Sequence, residues 1–366
     1  MGFSCGIVGL PNAGKSTLFN ALTHAGAMVA GYPFSTVEPN VGLVPVPDPR
    51  LEAIARIVNP RRVTPATLEF VDIAGLVRGA SRGEGLGNRF LARIREVDAV
   101  LHVVRCFEDS GIAHVEGGLD PARDVEIVNT ELYLADLEVV ERRQEKVQRQ
   151  LKTGEERFRR EWRLLERLHG DLASGRPLRR LELDPVEKEL ISAWHLISMK
   201  PVLYVANISE EDAISGRALP GLAGLRELAQ RQGDRIIALC ARLESDLAEL
   251  PEEEREELRR EMGLGASGLE RVIGEGYDLL GLISFFTCNE NEVRAWTVPR
   301  GTRASRAAGK VHTQMERGFI RAEVVSSADL IALGSFAAAR EKGLWRLEGR
   351  DYQVRDGDIL LFRFSS

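Results

Sequence analysis

Over the first third of the chain, short apolar runs rich in β-branched residues alternate with stretches of helical texture. Residues 3–8, 68–71 and 99–104 are such runs, each ending at turn or polar positions, and 201–206 and 235–239 repeat the pattern. Near-continuous apolar strands separated by helices predict a parallel sheet buried on both faces, an α/β layout. Between 126 and 198 the texture changes to Glu, Arg, Lys, Gln and Leu, all strong helix formers. Leu137, Val140, Val147 and Leu151 fall at coiled-coil spacing. After the Lys152-Thr153-Gly154 break, Phe158, Trp162, Leu165 and Leu172 do so again. Two narrow apolar stripes on charged helices predict an antiparallel helical hairpin inserted into the sheet domain. From 282 to 366 the chain turns strand-rich, with runs at 283–287, 293–298 and 359–364, and Asp356-Gly357-Asp358 as a turn before the last. The expected division is therefore 1–125 with 199–281, an arm at 126–198, and a small α+β domain at 282–366.

Bulk properties narrow the class. The 366 residues carry a net charge of −6, so a nucleic-acid contact has to come from a local basic patch. No apolar run approaches the length of a bilayer span. The N-terminus reads as a strand and lacks a signal-peptide pattern, and Gly6 stands where a myristoylation motif wants Ser or Thr. Cys5, Cys106, Cys240 and Cys288 are scattered, form no CxxC pair and read as reduced thiols. A cytoplasmic protein, probing no membrane, is the expectation.

The chemistry concentrates in a few segments. Gly9-Leu-Pro-Asn-Ala-Gly14-Lys15-Ser16-Thr17 follows the first strand and opens a helix, a full Walker A pattern. Its glycines let the backbone curl so that N–H groups from Asn12, Ala13, Gly14, Lys15, Ser16 and Thr17 face phosphate oxygens. The helix adds its positive end, Lys15 a point charge, and Ser16 a hydroxyl for Mg2+. Asp72-Ile-Ala-Gly75 ends the strand at 68–71. There a carboxylate can hold the Mg2+ shell and the Gly75 N–H can meet the γ phosphate. Thr36, in the loop before Pro39, is either a third Mg2+ ligand or a turn residue. The glycine-rich segment 78–87 suits a loop that orders with the γ phosphate. Together these predict a Ras-like switch domain.

The strand at 201–206 ends in Asn207-Ile208-Ser209-Glu210. A Ras-like GTPase carries Asn-Lys-x-Asp here, the Asp accepting two hydrogen bonds from guanine. Ile208 and Glu210 remove that pair, a loss of roughly 2–3 kcal/mol of guanine binding. Asn207 can still bond either purine, so ATP is the expected substrate and GTP the runner-up.

These segments, with Pro33-Phe34-Ser-Thr36, Gly79-Ala-Ser, Gly83-Glu-Gly-Leu-Gly87 and His102-Val-Val-Arg-Cys-Phe107, resemble the YchF subfamily of Obg-related P-loop proteins, the Obg-like ATPases. The resemblance spans the chain. It implies ATP preference, a coiled-coil arm inserted in the nucleotide domain, a C-terminal TGS domain of β-grasp type, and association with ribosomes or ribosomal RNA. Gly318-Phe-Ile-Arg-Ala-Glu323 and Tyr352-Gln-Val-Arg-Asp-Gly-Asp-Ile359 resemble that TGS domain, while 312–317 depart from its pattern. The resemblance also places Cys240 and Ala241 in the loop that lines the base, with a buried strand end as the other reading of Cys240.

Leu76 follows DxxG, where a classical GTPase has a water-orienting Gln, which implies low intrinsic turnover. Lys15 and Gly75 remain as catalytic groups. His114, in a glycine-containing loop, is either an exposed loop histidine or the group that positions water; in the second case His114→Ala lowers hydrolysis and spares affinity. Asn12 occupies the position that in some related proteins helps hold a monovalent cation, which makes K+ a candidate beside Mg2+. Ten basic residues on the arm are either a solvated face with i, i+4 pairs or an RNA-contacting stripe. Basic residues around Trp296 and Phe319 are either a stacking surface for RNA or the rim of a core. The leading function is a monomeric ATP-hydrolysing switch. The alternatives are a conventional GTPase and a ribosome-binding protein in which nucleotide is a structural ligand.

Overall fold

The computed structural model describes residues 2–30, 40–73, 79, 86–109, 111, 114–216 and 220–365. The first strands and helices run β1 (Ser4–Val8), α1 (Lys15–Ala30), β2 (Val41–Pro45), α2 (Pro49–Val58), β3 (Arg62–Thr64), β4 (Thr67–Asp72), α3 (Leu86–Glu96) and β5 (Ala99–Arg105). The helical arm follows, from α4 (Pro121–Gln150), whose first half still packs on the sheet, through α5 (Glu156–Ala173) to α6 (Pro185–Ser192). The nucleotide domain resumes with β6 (Val202–Asn207), α7 (Glu210–Ser215), α8 (Pro220–Gln232), β7 (Arg235–Leu239), α9 (Ala241–Ala248), α10 (Glu252–Glu261) and α11 (Gly268–Leu279). The last domain comprises β8 (Leu282–Cys288), β9 (Glu292–Pro299), α12 (Ala304–Val311), α13 (Thr313–Arg317) and β10 (Phe319–Ser326). It closes with α14 (Ser327–Leu333), α15 (Phe336–Glu341), β11 (Arg346–Glu348) and β12 (Asp358–Phe364).

The first sheet has the order β2-β4-β1-β5-β6-β7. All pairs are parallel except β2 with β4. Every residue of β5 and β6 is buried, which is why both read as largely apolar runs rather than alternating ones, with His102 and Arg105 of β5 and Asn207 of β6 as buried polar exceptions. One face packs on α3, α4 and α8 through residues such as Ile94, Val128 and Leu225. The other packs on α1, α9 and α11 through Leu18, Leu22 and Val272. Parallel order puts the carboxyl ends of β1, β4, β6 and β7 along one edge, where ligands of such sheets bind.

α4 begins at Pro121, with Asp120 as its N-cap accepting from the Arg123 N–H at 3.1 Å. Its first half belongs to the core of the sheet domain: Val125, Val128 and Leu132 are buried. Its second half packs along α5 through Val140, Val147, Leu165 and Leu172, residues of the stripe that the spacing predicts, together with Leu168. Asp136, wholly buried, ties the arm's root to its return: it accepts from the Ser198 N–H and hydroxyl, both at 2.7 Å, and from Ile197 N–H at 3.0 Å.

The second sheet, β11-β10-β12-β8-β9-β3, contains a strand from far upstream. β8 runs parallel to β12 in its middle, the β-grasp arrangement. β3 pairs parallel with β9, and Thr64 Oγ1 donates to Glu292 at 2.6 Å. Arg50 adds a second tie: it donates to Asp48, the N-cap of its own helix, and to Asp356 at 2.7 Å. The C-terminal domain is thus stitched to the nucleotide domain through residues 48–64. The aromatic residues considered as an RNA platform serve this domain's interior. Phe319 is buried, and Trp296 donates to Thr287 at 2.9 Å while Arg294 covers its ring at 4.1 Å.

Candidate nucleotide site

The phosphate end begins where β1 stops. Gly9 has φ of 150°, and a Cβ there would collide with the Val103 carbonyl oxygen of β5, so only glycine lets the loop leave the strand. Asn12 takes a left-handed φ of 64°, which Asn tolerates better than most residues. α1 then starts at Lys15. Lys15 is 8% exposed, and its ammonium donates to the Leu10 carbonyl at 2.8 Å. Burial pulls its pKa down, and the carboxylate of Asp72 opposes the shift. Ser16 Oγ donates to Asp72 Oδ2 at 2.8 Å, so the first helix and the end of β4 bring a hydroxyl and a carboxylate together. Hard oxygen donors in that number suit Mg2+, which takes one or two protein ligands and completes its octahedron with phosphate oxygens and water. Thr17 is exposed one residue further along α1. Thr36, Gly75 and Leu76 lie outside the described residues.

The base end is assembled from three strand ends. Asn207 is 5% exposed; its Nδ2 donates to the Ala13 carbonyl at 3.0 Å, and its Oδ1 accepts from the Ala241 N–H at 2.9 Å. It is therefore a strut that fixes the P-loop against the start of α9, and only its second amide hydrogen remains for a base. Gly14 is the place where strut and loop meet: at φ of 95°, a Cβ on it would overlap Asn207 Nδ2. Ile208 is buried, with its N–H on the Leu239 carbonyl at 2.9 Å. Its side chain lines a cleft of about 270 Å³ together with Leu239, Cys240 and Leu243. Cys240 caps α9, its Sγ accepting from the Leu243 N–H at 3.5 Å, and burial pushes its thiol pKa up. The reading of Cys240 as a buried strand end holds. Glu210, exposed, opens α7 behind its N-cap Ser209.

With that geometry in place, the relatives can be compared. A family model described as 50S ribosome-binding GTPase matches residues 4–151. The C-terminal YchF GTPase model, described as a protein of unknown function (DUF933), matches 282–365. The chain is similar to the ribosome-binding ATPase YchF of Escherichia coli O157:H7, 51% identical over 365 residues, and to that of Bacillus subtilis, 48% identical, with both chains covered completely in each case. A solved structure, the YchF GTPase of Schizosaccharomyces pombe, superposes with a TM-score of 0.89 at 36% identity, over 99% of this chain and 97% of that one. The chain belongs to the YchF family. Within the names of these YchF relatives, ATPase and GTPase both occur.

In this YchF-family chain His114 sits behind the P-loop rather than exposed in a loop. It lines a small cavity with Leu10, Pro11 and Ala13. Its Nε2 donates to Asp124 Oδ2 at 2.8 Å, while Nδ1 accepts from the Glu116 N–H at 3.2 Å, which assigns the Nε2–H tautomer. The arm's basic residues also acquire definite roles. Arg142 pairs with Glu138, Arg143 with Glu161, Arg160 with Asp184, Arg163 with Glu156 and Arg167 with Glu187. Lys146, Arg149 and Lys152 stand three apart near the arm's tip, with no carboxylate in ion-pair reach among the described residues. Two functional features had no clear signal in the sequence: the use of Asn207 as a strut and the docking of β3 on the C-terminal sheet.

Proposed function

We propose that this protein is a Mg2+-dependent ATPase of low intrinsic turnover that acts as a nucleotide-gated switch and associates with ribosomes. One observation carries the substrate choice. Asn207 is bonded through both amide atoms to the scaffold. The two positions that follow it and would read guanine hold a buried aliphatic residue and an exposed Glu on the first turn of α7. Neither supplies the Lys stem nor the short bidentate carboxylate, so the discrimination that GTPases draw from charge-assisted hydrogen bonds is missing.

In this reading the backbone from Asn12 to Thr17 wraps the phosphates and Lys15 exchanges the Leu10 carbonyl for phosphate oxygens. Ser16 and Asp72 would hold Mg2+, with Thr36 as a further ligand, and the ion would supply positive charge against the phosphates. Gly75 reports the γ phosphate to the loop that follows. His114 orients the attacking water once it leaves Asp124, and Asn12 holds K+. Ile208, Glu210, Cys240 and Ala241 border the base. On the ribosome side, the relatives' names supply the partner, and the cluster Lys146, Arg149 and Lys152 supplies charge for an RNA backbone. The proposal includes a monomeric, cytoplasmic protein; no described helix is long and apolar enough to cross a membrane.

The test is calorimetric titration of nucleotide-free protein with ATP and GTP analogues in Mg2+. The ATP analogue is expected to bind at least about tenfold tighter, a difference of about 1.4 kcal/mol. Tighter binding of the GTP analogue overturns the proposal and makes the chain a conventional GTPase, and equal binding overturns the reading of Ile208 and Glu210 as the source of ATP preference.

A further inference from the structure

A second cleft, of about 620 Å³, opens between the first half of α4, the end of α8 and the segment returning from α5. α8 ends at Gln232, just before β7 starts, so this cleft lies by the amino end of the sheet, whereas the nucleotide residues leave the strands at their carboxyl ends. Its volume is that of a small-molecule site.

The wall is rich in hydrogen-bond donors. Tyr133 lines the cleft and is 7% exposed, and its hydroxyl has no hydrogen-bond partner among the described residues. Arg179 stands beside it and favours its ionised form somewhat, while the Arg179 Nε and Nη2 groups donate to Asp234 and Gln232. Burial raises the Tyr133 pKa, which keeps the phenol protonated and a donor at neutral pH. Gln232 uses its Oε1 to accept from Tyr204 at 2.8 Å and Arg179 at 3.1 Å, which leaves its NH2 group to the cleft. Arg180 and Arg231 line the same cleft, and neither has a carboxylate in ion-pair reach among the described residues. Glu126 is the one carboxylate in the lining. Gly233, at φ of 66°, leaves room for Arg180: a Cβ there would occupy the position of the Arg180 guanidinium.

A buried phenol without a partner, two uncompensated guanidiniums and a spare amide all ask for acceptor oxygens carrying negative charge. We propose that this cleft binds a small phosphate-bearing molecule, held by Arg180 and Arg231 and by the Tyr133 hydroxyl, at a site separate from the P-loop.

The experiment saturates the full chain with a non-hydrolysable ATP analogue and excess Mg2+, then titrates pyrophosphate by calorimetry. The analogue's own heat reports the P-loop, so failure there is seen separately. One further site is expected. The pair Arg180→Ala with Arg231→Ala weakens it at least about tenfold, and Tyr133→Phe weakens it about fivefold. Without pyrophosphate, Tyr133→Phe melts no lower than the parent protein, because it loses only an unpartnered hydroxyl. The proposal is overturned by absence of a second site in the parent protein, by unchanged pyrophosphate affinity in the variants, or by a lower melting temperature for Tyr133→Phe.

Discussion

The two ends of the nucleotide site are built on different principles. The phosphate end is one contiguous segment, residues 9–17, joined by a single carboxylate that meets Ser16 at 2.8 Å. The base end has no segment of its own. It consists of Asn207 stretched between Ala13 and Ala241, with Ile208 and Glu210 attached to that strut. A contiguous loop can keep its shape through local backbone geometry. An assembled one depends on every part it spans, and can change its ligand by replacing a side chain without moving the frame.

The strongest test acts where the two ends touch. Gly14→Ala places a methyl group on Asn207 Nδ2 and asks a non-glycine residue to hold φ of 95°. Strain and overpacking together are expected to destabilise the fold by roughly 2–4 kcal/mol. Nucleotide affinity should fall by at least about 100-fold, because loop and strut move together. Denaturant unfolding and calorimetry measure the two effects. A variant with near-normal stability and affinity would show that the ends are independent after all.

Asn207→Ala comes next and separates frame from reader. It leaves the buried Ala13 carbonyl and Ala241 N–H without their partner, a cost of about 2–6 kcal/mol at 1–3 kcal/mol each. Since both bonds go to backbone, ATP and GTP analogues should weaken by similar factors. A loss confined to one nucleotide would mean that Asn207 reads the base, and the comparison drawn above would fail.

The same contrast governs how much was legible beforehand. β5 could be read because all seven of its residues are buried and five of them are apolar, a run with few other uses. The Walker A loop could be read because its parts are adjacent. β3 could not: three residues with two exposed members give no pattern, and its partner strand lies more than 200 positions downstream. Asn207 was visible as a residue but its role was not, since its partners are backbone atoms 194 and 34 positions away. The arm's charges were visible as a stripe, yet whether Arg143 faces solvent or Glu161 depends on how α4 and α5 are paired. His114 was singled out from its loop, but its place behind the P-loop comes from α4, which carries Asp124 to it.

The smallest expected effect is the most specific. Ile208→Lys combined with Glu210→Asp restores the pair that guanine recognition uses, on a strut that neither substitution touches. Ile208 is 8% exposed, so the lysine stem has to run along buried surface and bring its ammonium out to solvent. Some stability will be lost, which is why the ratio of the two affinities, rather than either alone, is the quantity to read. A shift of about tenfold towards the GTP analogue is expected, the return of part of a charge-assisted hydrogen-bond pair. Glu210→Asp alone should give less, because a short carboxylate without the lysine stem beside it lacks the packing that orients the base. If the double variant folds, binds both nucleotides and keeps its original ratio, base preference does not reside at 208 and 210. The division into a fixed phosphate end and a replaceable base end would then have to be redrawn around the cleft lined by Leu239, Cys240 and Leu243.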